Sequence, residues 1–369
     1  MTSPFTPAII NHRAVIPVML RKMECGSACN GHVAKGCEHC IEGSKMVLLV
    51  TGQCKWNCYY CPVSLEKKGL DVIYANEAKV SSDEEILAEA ESMDATGTGI
   101  TGGDPLLSID RTLHLIKLLK ERFGKEHHIH LYTATFDPEK VGLLEEAGLD
   151  EIRFHPMIPM WTRMDDTALK DIVSMTSMDV GIEVPAIPGK EKELSELVRY
   201  ADSVGVKFIN LNELEFSESN WDMMSQNSFE VKDDISSAVK GSYETAMAVM
   251  KGNKKVNIHF CSSAFKDGVQ LRKRLIRRAE HICTDYQAVT DDGTLVRGFV
   301  YSDDLDAIVS RLRELDVPDE LFFVLDNKVE VAPWVLEDIA DDLGFKCYIS
   351  EQYPTADGLE VERTPLNRC

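Results

Sequence analysis

Seven short, mostly apolar segments recur through the middle of the chain, each followed by a stretch of helical periodicity. They are Met46–Gly52, Gly97–Thr101, His128–Ala134, Glu151–His155, Val180–Ala186, Lys207–Glu213 and Val256–Phe260. Most read as nearly continuous apolar runs, the pattern of parallel strands buried on both faces. The intervening helices carry their own punctuation. Ser82 through Glu85 is a capping box ahead of Ile86, Leu87, Ala90 and Met93. Pro138 takes a first helical position after Asp137, and Gly148 follows the last turn. Leu194, Leu197, Val198 and Ala201 form one stripe that Gly205 ends. This alternation predicts an α/β fold, a parallel sheet with right-handed crossovers forming a partial (βα)6-type barrel.

The pattern changes at both ends. Residues 1–44 read as a cysteine-rich N-terminal extension, 45–264 as the barrel, and 265–369 as a basic helix followed by a small α/β module. In that module Asp291 to Gly293 marks a hairpin turn, and FFVLDNKVEVA reads as a second hairpin. Pro333 opens a helix that Gly344 closes. No catalytic motif shows in this part, which is read as a lid or substrate-recognition module.

Composition narrows the class. Of 369 residues, 44% are hydrophobic and 27% charged, which gives a soluble chain enough apolar side chain for a large core. No run of eighteen apolar residues exists, and the N-terminus lacks a charged leader with an apolar stretch. A cytoplasmic protein without a membrane span is expected. The net charge of −21 argues against bulk DNA or anionic lipid as a partner. There are eleven cysteines, and seven lie between Cys25 and Cys61. Clustered thiols in a chain without an export signal point to metal rather than disulfides.

The strongest motif follows the first strand: Cys54, Cys58 and Cys61 in C-x3-C-x2-C spacing, with Tyr60 before the last. One loop can bring three thiolates to one face of an iron–sulfur cube and leave the fourth iron open. Polar residues also gather at the ends of later strands. They include Gly102, Gly103 and Asp104, Thr133 and Thr135, Arg153 and His155, Glu183, Asn210, Asn212, Glu213, His259 and Cys261. In a βα barrel such ends share one mouth.

These residues resemble the radical S-adenosylmethionine (SAM) superfamily. The cysteine spacing, the aromatic at Tyr60 and the Gly102-Gly103-Asp104-Pro105 turn carry the resemblance. The wider neighbourhood is similar to a branch related to the pyruvate formate-lyase activating enzymes. The resemblance implies that Cys54, Cys58 and Cys61 hold a 4Fe-4S cluster whose open iron binds SAM. One electron from an external donor then cleaves SAM to a 5′-deoxyadenosyl radical, which abstracts hydrogen from a substrate. It also implies that Gly102 and Gly103 let backbone approach the methionine moiety, that Asp104 accepts from its ammonium, and that Tyr60 lies by the adenine. Thr133 and Glu183 are candidates for ribose or carboxylate contacts. A protein or peptide substrate is favoured, with RNA or a small molecule as alternatives.

Cys25, Cys29, Cys37 and Cys40 have C-x3-C-x7-C-x2-C spacing, with His32 and His39 among them. They are a candidate second site for zinc or another Fe-S cluster, against packed thiols. Cys261 could face the mouth, although a buried cysteine is more often a small hydrophobe. Cys347 reads as core. Lys266, Arg272, Lys273, Arg274, Arg277 and Arg278 concentrate positive charge, with Leu271, Leu275 and Ala279 as the buried stripe. An anion site competes with pairing to the chain's own surplus carboxylates, and pairing is favoured. The alternative overall is a non-catalytic iron–sulfur or zinc protein in electron transfer or RNA binding.

Overall fold

A computed structural model describes residues 20–252 and 255–367. The N-terminal leader reading (residues 1–19) and Cys369 lie outside them.

The core sheet begins with β1 (Leu20–Lys22) and β2 (Ala28–Asn30), followed by α1 (Lys35–Ile41) and β3 (Lys45–Leu49). A hairpin, β4 (Ile73–Ala75) and β5 (Ala78–Val80), leads into α2 (Asp83–Ser92). Strand and helix then alternate: β6 (Gly97–Thr101), α3 (Ile109–Phe123), β7 (His128–Thr133), α4 (Pro138–Ala147), β8 (Glu151–Phe154) and α5 (Leu169–Met175). The series continues with β9 (Asp179–Ala186), α6 (Glu191–Val204), β10 (Phe208–Glu213), α7 (Trp221–Gln226), α8 (Ser242–Gly252) and β11 (Asn257–Cys261). All seven expected strands form. The expected punctuation holds too: Ser82 makes a full capping box with Glu85, Asp137 caps α4, and Gly148 and Gly205 are left-handed at the helix ends.

The eleven strands are ordered β1-β2-β11-β10-β9-β8-β7-β6-β3-β4-β5. The seven from β11 to β3 are mutually parallel, and the two strands at each end are antiparallel additions. The N-terminal segment is therefore built into the sheet: β2 pairs with β11, and α1 packs against β3, β6 and β7.

One expectation about these strands needs correction. They are buried on both faces but are not apolar on both. Met46, Leu48, Ile100, Ile129, Leu131, Ile152, Ile182, Ile209, Leu211 and Ile258 belong to the main hydrophobic core. The residues alternating with them are polar and equally buried: Lys45, His130, Glu151, Arg153, Asn210 and His259. Glu183, Asn210, His259 and Cys29 are cross-strand neighbours in one row. A buried polar face survives only if its groups satisfy one another. Arg153 Nη1 donates to Glu183 at 2.8 Å and to Tyr132 Oη at 3.0 Å, and Arg153 Nε donates to Glu151 at 2.5 Å. Helix α1 seals this face. Its Gly36 N–H donates to Glu151, and a Cβ there would collide with His130 and Arg153.

After β11 come a short α9 (Ser263–Phe265), a π-helical stretch (Lys266–Leu271) and α10 (Arg272–Ile282). The C-terminal module contains β12 (Ala288–Val289), β13 (Leu295–Tyr301), α11 (Leu305–Glu314), β14 (Phe322–Val324), β15 (Val329–Val331), α12 (Pro333–Leu343), β16 (Lys346–Gln352) and β17 (Glu360–Pro365). Its antiparallel sheet has the order β14-β15-β13-β16-β17, with β12 paired to β13. Both expected hairpins are present. A second core, with Val300, Ile308, Leu312, Val329, Leu336 and Cys347, holds it together.

The basic helix α10 spends its charge within the chain. Arg274 pairs with Glu77, Arg277 with Asp94, Arg278 with Glu89 and Arg272 with Asp292. Leu275 and Ala279 are buried as expected, whereas Leu271 is exposed where the π-helical stretch shifts the helical phase.

Candidate active site

At the C-terminal ends of the parallel strands lies a cavity of about 700 Å³. Cys54, Cys58, Tyr60 and Cys61 line it from the loop after β3, Gly102 and Gly103 from the turn after β6. Thr133, His155, Glu183, Asn212 and Glu213 line it from the later strands. Six of the seven parallel strands, β3 and β6 to β10, therefore send chemistry from their ends to one space, as the βα connectivity favours.

The cysteine loop is fixed at several points. Gly103 N donates to Thr51 O at 2.7 Å and Asp104 N to Gln53 O at 2.8 Å, which ties the Gly-Gly-Asp turn to the start of the loop. A Cβ on Gly102 would strike the Thr51 carbonyl, and one on Gly103 would strike the Gln53 backbone. These glycines allow two backbones to touch as well as exposing backbone to the cavity. Tyr60 Oη donates to His155 Nε2 at 3.0 Å. The tautomer follows from the other ring nitrogen, because His155 Nδ1 faces the Glu183 carbonyl at 2.8 Å and a carbonyl only accepts. Burial holds the imidazole below its ordinary pKa, which favours the neutral ring. Asn220, almost fully buried, donates to Tyr60 O at 3.2 Å, and Ser219 Oγ donates to Cys61 O at 3.2 Å. These two residues have no sequence signal, since only the return of the segment after β10 brings them to the loop.

Asp104 stands behind the cavity wall, next to Thr133. It is buried, and its carboxylate accepts from Thr133 Oγ1 and Thr135 Oγ1, both at 2.7 Å, and from Leu106 N at 3.1 Å. It is absent from the cavity wall. Its carboxylate clamps and orients Thr133, which does line the cavity. Glu183 lies on the wall with its carboxylate on Arg153, Asn210 and Asn212. Burial would raise its pKa, but the Arg153 charge and the two amides outweigh burial and hold it below the ordinary carboxylate value.

The donor set of the loop suits a soft metal cluster. Cys54, Cys58 and Cys61 are free thiols on one loop facing one cavity. Burial pushes the Cys58 thiol up to about 11, so a bound cation is what would hold it as a thiolate. Among the described residues no three Cys, His, Asp or Glu side chains converge on the position of a single ion. An iron–sulfur cube spaces its thiolates more widely than one ion does.

Of the four lead-in cysteines, Cys37 and Cys40 on α1 lie close enough to act electrostatically on each other and on Cys261. Cys25 is exposed, Cys29 on β2 accepts from the Arg21 guanidinium, Cys37 accepts from Asn210 Nδ2 at 3.2 Å, and Cys40 is half-buried. His39 Nδ1 bonds the Thr96 and Ser44 hydroxyls, and His32 is exposed. Cys261 is buried off the cavity wall, where burial pushes its thiol up to about 12, and Cys347 is in the second core. Lys45, Tyr132, Met157 and Lys266 also line the cavity and carry no motif. The alternation of the polar strand face would have found the first two.

Comparison with known proteins decides the family. Residues 48–157 match the Radical SAM superfamily, and residues 293–366 match a Domain of unknown function (DUF8061). A protein of Methanocaldococcus jannaschii, "Putative glycyl-radical enzyme activating enzyme MJ0021", is 43% identical over 348 residues, spanning 90% of this chain and 92% of its own. The chain belongs to the radical SAM enzymes. Within them it falls in a family related to the pyruvate formate-lyase activating enzymes. Among solved structures, Streptococcus suis SuiB bound to its precursor peptide SuiA aligns at a TM-score of 0.40 and 11% identity, covering 68% of this chain and 58% of that one. The [FeFe]-hydrogenase maturase HydG aligns at 0.41 and 16%, covering 65% of each. Among the described residues no helix is long and apolar enough to cross a membrane.

Proposed function

We propose that this radical SAM enzyme holds a 4Fe-4S cluster on Cys54, Cys58 and Cys61 and acts on a protein or peptide. The reading rests on one observation: the three thiols, the Gly102–Gly103 turn, Thr133 and Glu183 line a single cavity at the strand ends. The substrate class rests on the name of the Methanocaldococcus jannaschii relative. When bound, the cluster and SAM supply one-electron cleavage of a sulfonium to a carbon-centred radical, with the electron from an external donor.

The chain's own residues do the rest. The glycine turn and the loop it grips form one wall, and Thr133, oriented by Asp104, offers a hydroxyl from the next strand. Glu183 presents a fixed carboxylate, and Tyr60, tied to His155, closes the side toward the cysteines. In this reading residues 45–264 are the catalytic core, an incomplete barrel sealed by α1, and the C-terminal module is a lid or recognition element.

Electron carriage or RNA binding without catalysis draws less support. The arginines of α10 that would meet phosphate are already paired. The test is anaerobic reconstitution with iron and sulfide, then dithionite and SAM. Deoxyadenosine is expected from the wild type and none from Cys58→Ala. Its absence from fully reconstituted wild-type protein refutes the proposal.

A further inference from the structure

A second depression lies on the segment joining β10 to α8. It has about 580 Å³ of space and is walled by Phe216, Trp221, Val231 and Ile235. Its apolar side chains are unusually open: Ile235 is 98% exposed and Trp221 52%, although Trp221 packs on Phe216 with ring centroids 4.8 Å apart. Exposed apolar groups grouped in one groove mark an interaction site more often than scattered ones do.

The polar lining has one sign. Glu218, Asp233 and Asp234 stand in the wall, and no cation does. Asp233 caps the turn by accepting from Ile235 N and Ser236 N. Glu218 and Asp234 are exposed and have no ion-pair partner among the described residues. The groove therefore combines apolar side chains with an acidic rim, on which Lys232 acts only at Asp233 and Glu218 and Asp234 stand unpaired among the described residues.

The same segment grips the cysteine loop. Ser219 and Asn220 hold the Cys61 and Tyr60 carbonyls, and Phe229 stacks on Tyr59 with centroids 6.0 Å apart. Its first residues, Glu213 to Glu215, line the catalytic cavity. A chain lying in the groove is thus only a few residues from the reaction space.

We propose that this groove docks an extended segment of the protein substrate that carries apolar anchors flanked by lysine or arginine. The inference rests on the protein-substrate reading and adds to it where, and by what chemistry, the substrate is recognised. Apolar burial gives the affinity, and the carboxylates select a basic flank.

The probe is a fluorescein-labelled hexapeptide of alternating lysine and leucine, followed by anisotropy against the reconstituted full-length protein. A glutamate–leucine hexapeptide is the charge control. The lysine peptide is expected to bind and the glutamate peptide to bind roughly ten-fold or more weakly. Ile235→Ser, at a fully exposed position where folding is not at stake, is expected to weaken the lysine peptide by about ten-fold. Glu218→Gln with Asp234→Asn should weaken it and flatten its salt dependence. Equal binding of the two peptides overturns the proposal, as does indifference to Ile235→Ser. A dimer in sedimentation that Ile235→Ser dissolves would assign the groove to a second copy and also overturns it. SAM cleavage by the same samples is read separately. Deoxyadenosine without peptide binding removes only the docking inference, and peptide binding without deoxyadenosine removes only the reading of the site.

Discussion

The Arg153 guanidinium donates to the Glu183 carboxylate at 2.8 Å on the polar face of the core sheet, and Glu183 continues into the cavity wall. The pair links the interior of the sheet to the proposed reaction space. Removing one partner of a buried pair leaves an uncompensated charge. Arg153→Met strands both Glu151 and Glu183 and is expected to cost on the order of 3–5 kcal/mol in urea unfolding. Glu183→Gln keeps the side-chain shape and should cost less while weakening SAM binding by calorimetry. Equal stability losses for the two variants would contradict this account.

Asp104 acts through two threonines. Asp104→Ala should lower stability by about 1–3 kcal/mol, because a buried hydroxyl loses its acceptor. SAM affinity should fall with it, and Thr133→Val should reproduce part of that fall. A variant that loses SAM affinity at unchanged stability would point instead to a direct contact between Asp104 and SAM.

The Gly103 turn lies against the Gln53 backbone, where a Cβ has no room. Gly103→Ala should separate the turn from the cysteine loop. Iron content per chain after reconstitution is expected to drop sharply, with far-ultraviolet circular dichroism unchanged. Full iron retention would show that the two backbones need not touch.

On α10 the arginines should rank by burial. Arg278 and Glu89 are 8% and 7% exposed, whereas Arg272 and Asp292 face solvent. Arg278→Ala is expected to cost about 3–5 kcal/mol and Arg272→Ala less than about 1 kcal/mol, read by urea midpoints. Neither Arg274→Ala nor Arg277→Ala should change RNA retention on a filter, because both side chains are committed to Glu77 and Asp94.

His127 is buried with Nε2 on Thr98 Oγ1 at 2.8 Å. Burial, helped by Lys120, lowers its pKa from 6.5 to about 4. The fold therefore prefers the neutral ring, and the unfolded chain takes up a proton first as pH falls. Its contribution is intact above pH 6.5 and is lost as pH falls toward about 4, with a slope of up to about 1.4 kcal/mol per pH unit. His127→Gln should flatten the acid limb of the urea-stability profile by that amount. An unchanged slope would mean that the ring is already charged in the native state.

The order of strands and helices was legible along the chain because local patterns set it. Apolar runs, the Ser82 capping box, Pro138 and Gly148 act within a few residues of themselves. The C-x3-C-x2-C loop and the Gly-Gly-Asp turn were legible for the same reason, since each is one short segment after one strand. Pairing across distance could not be read this way. That α1 would seal a polar sheet face, that Cys29 and Cys37 would meet different partners, and that Asn220 would hold the Tyr60 carbonyl all depend on which segments return to one place. Arg153, Glu183 and Asn210 read as groups of one shared mouth, because a single strand does not show what faces it. Only packing against neighbours joined Arg153, Glu183 and Asn210 into one hydrogen-bonded network, since a buried charge takes its meaning from the group opposite.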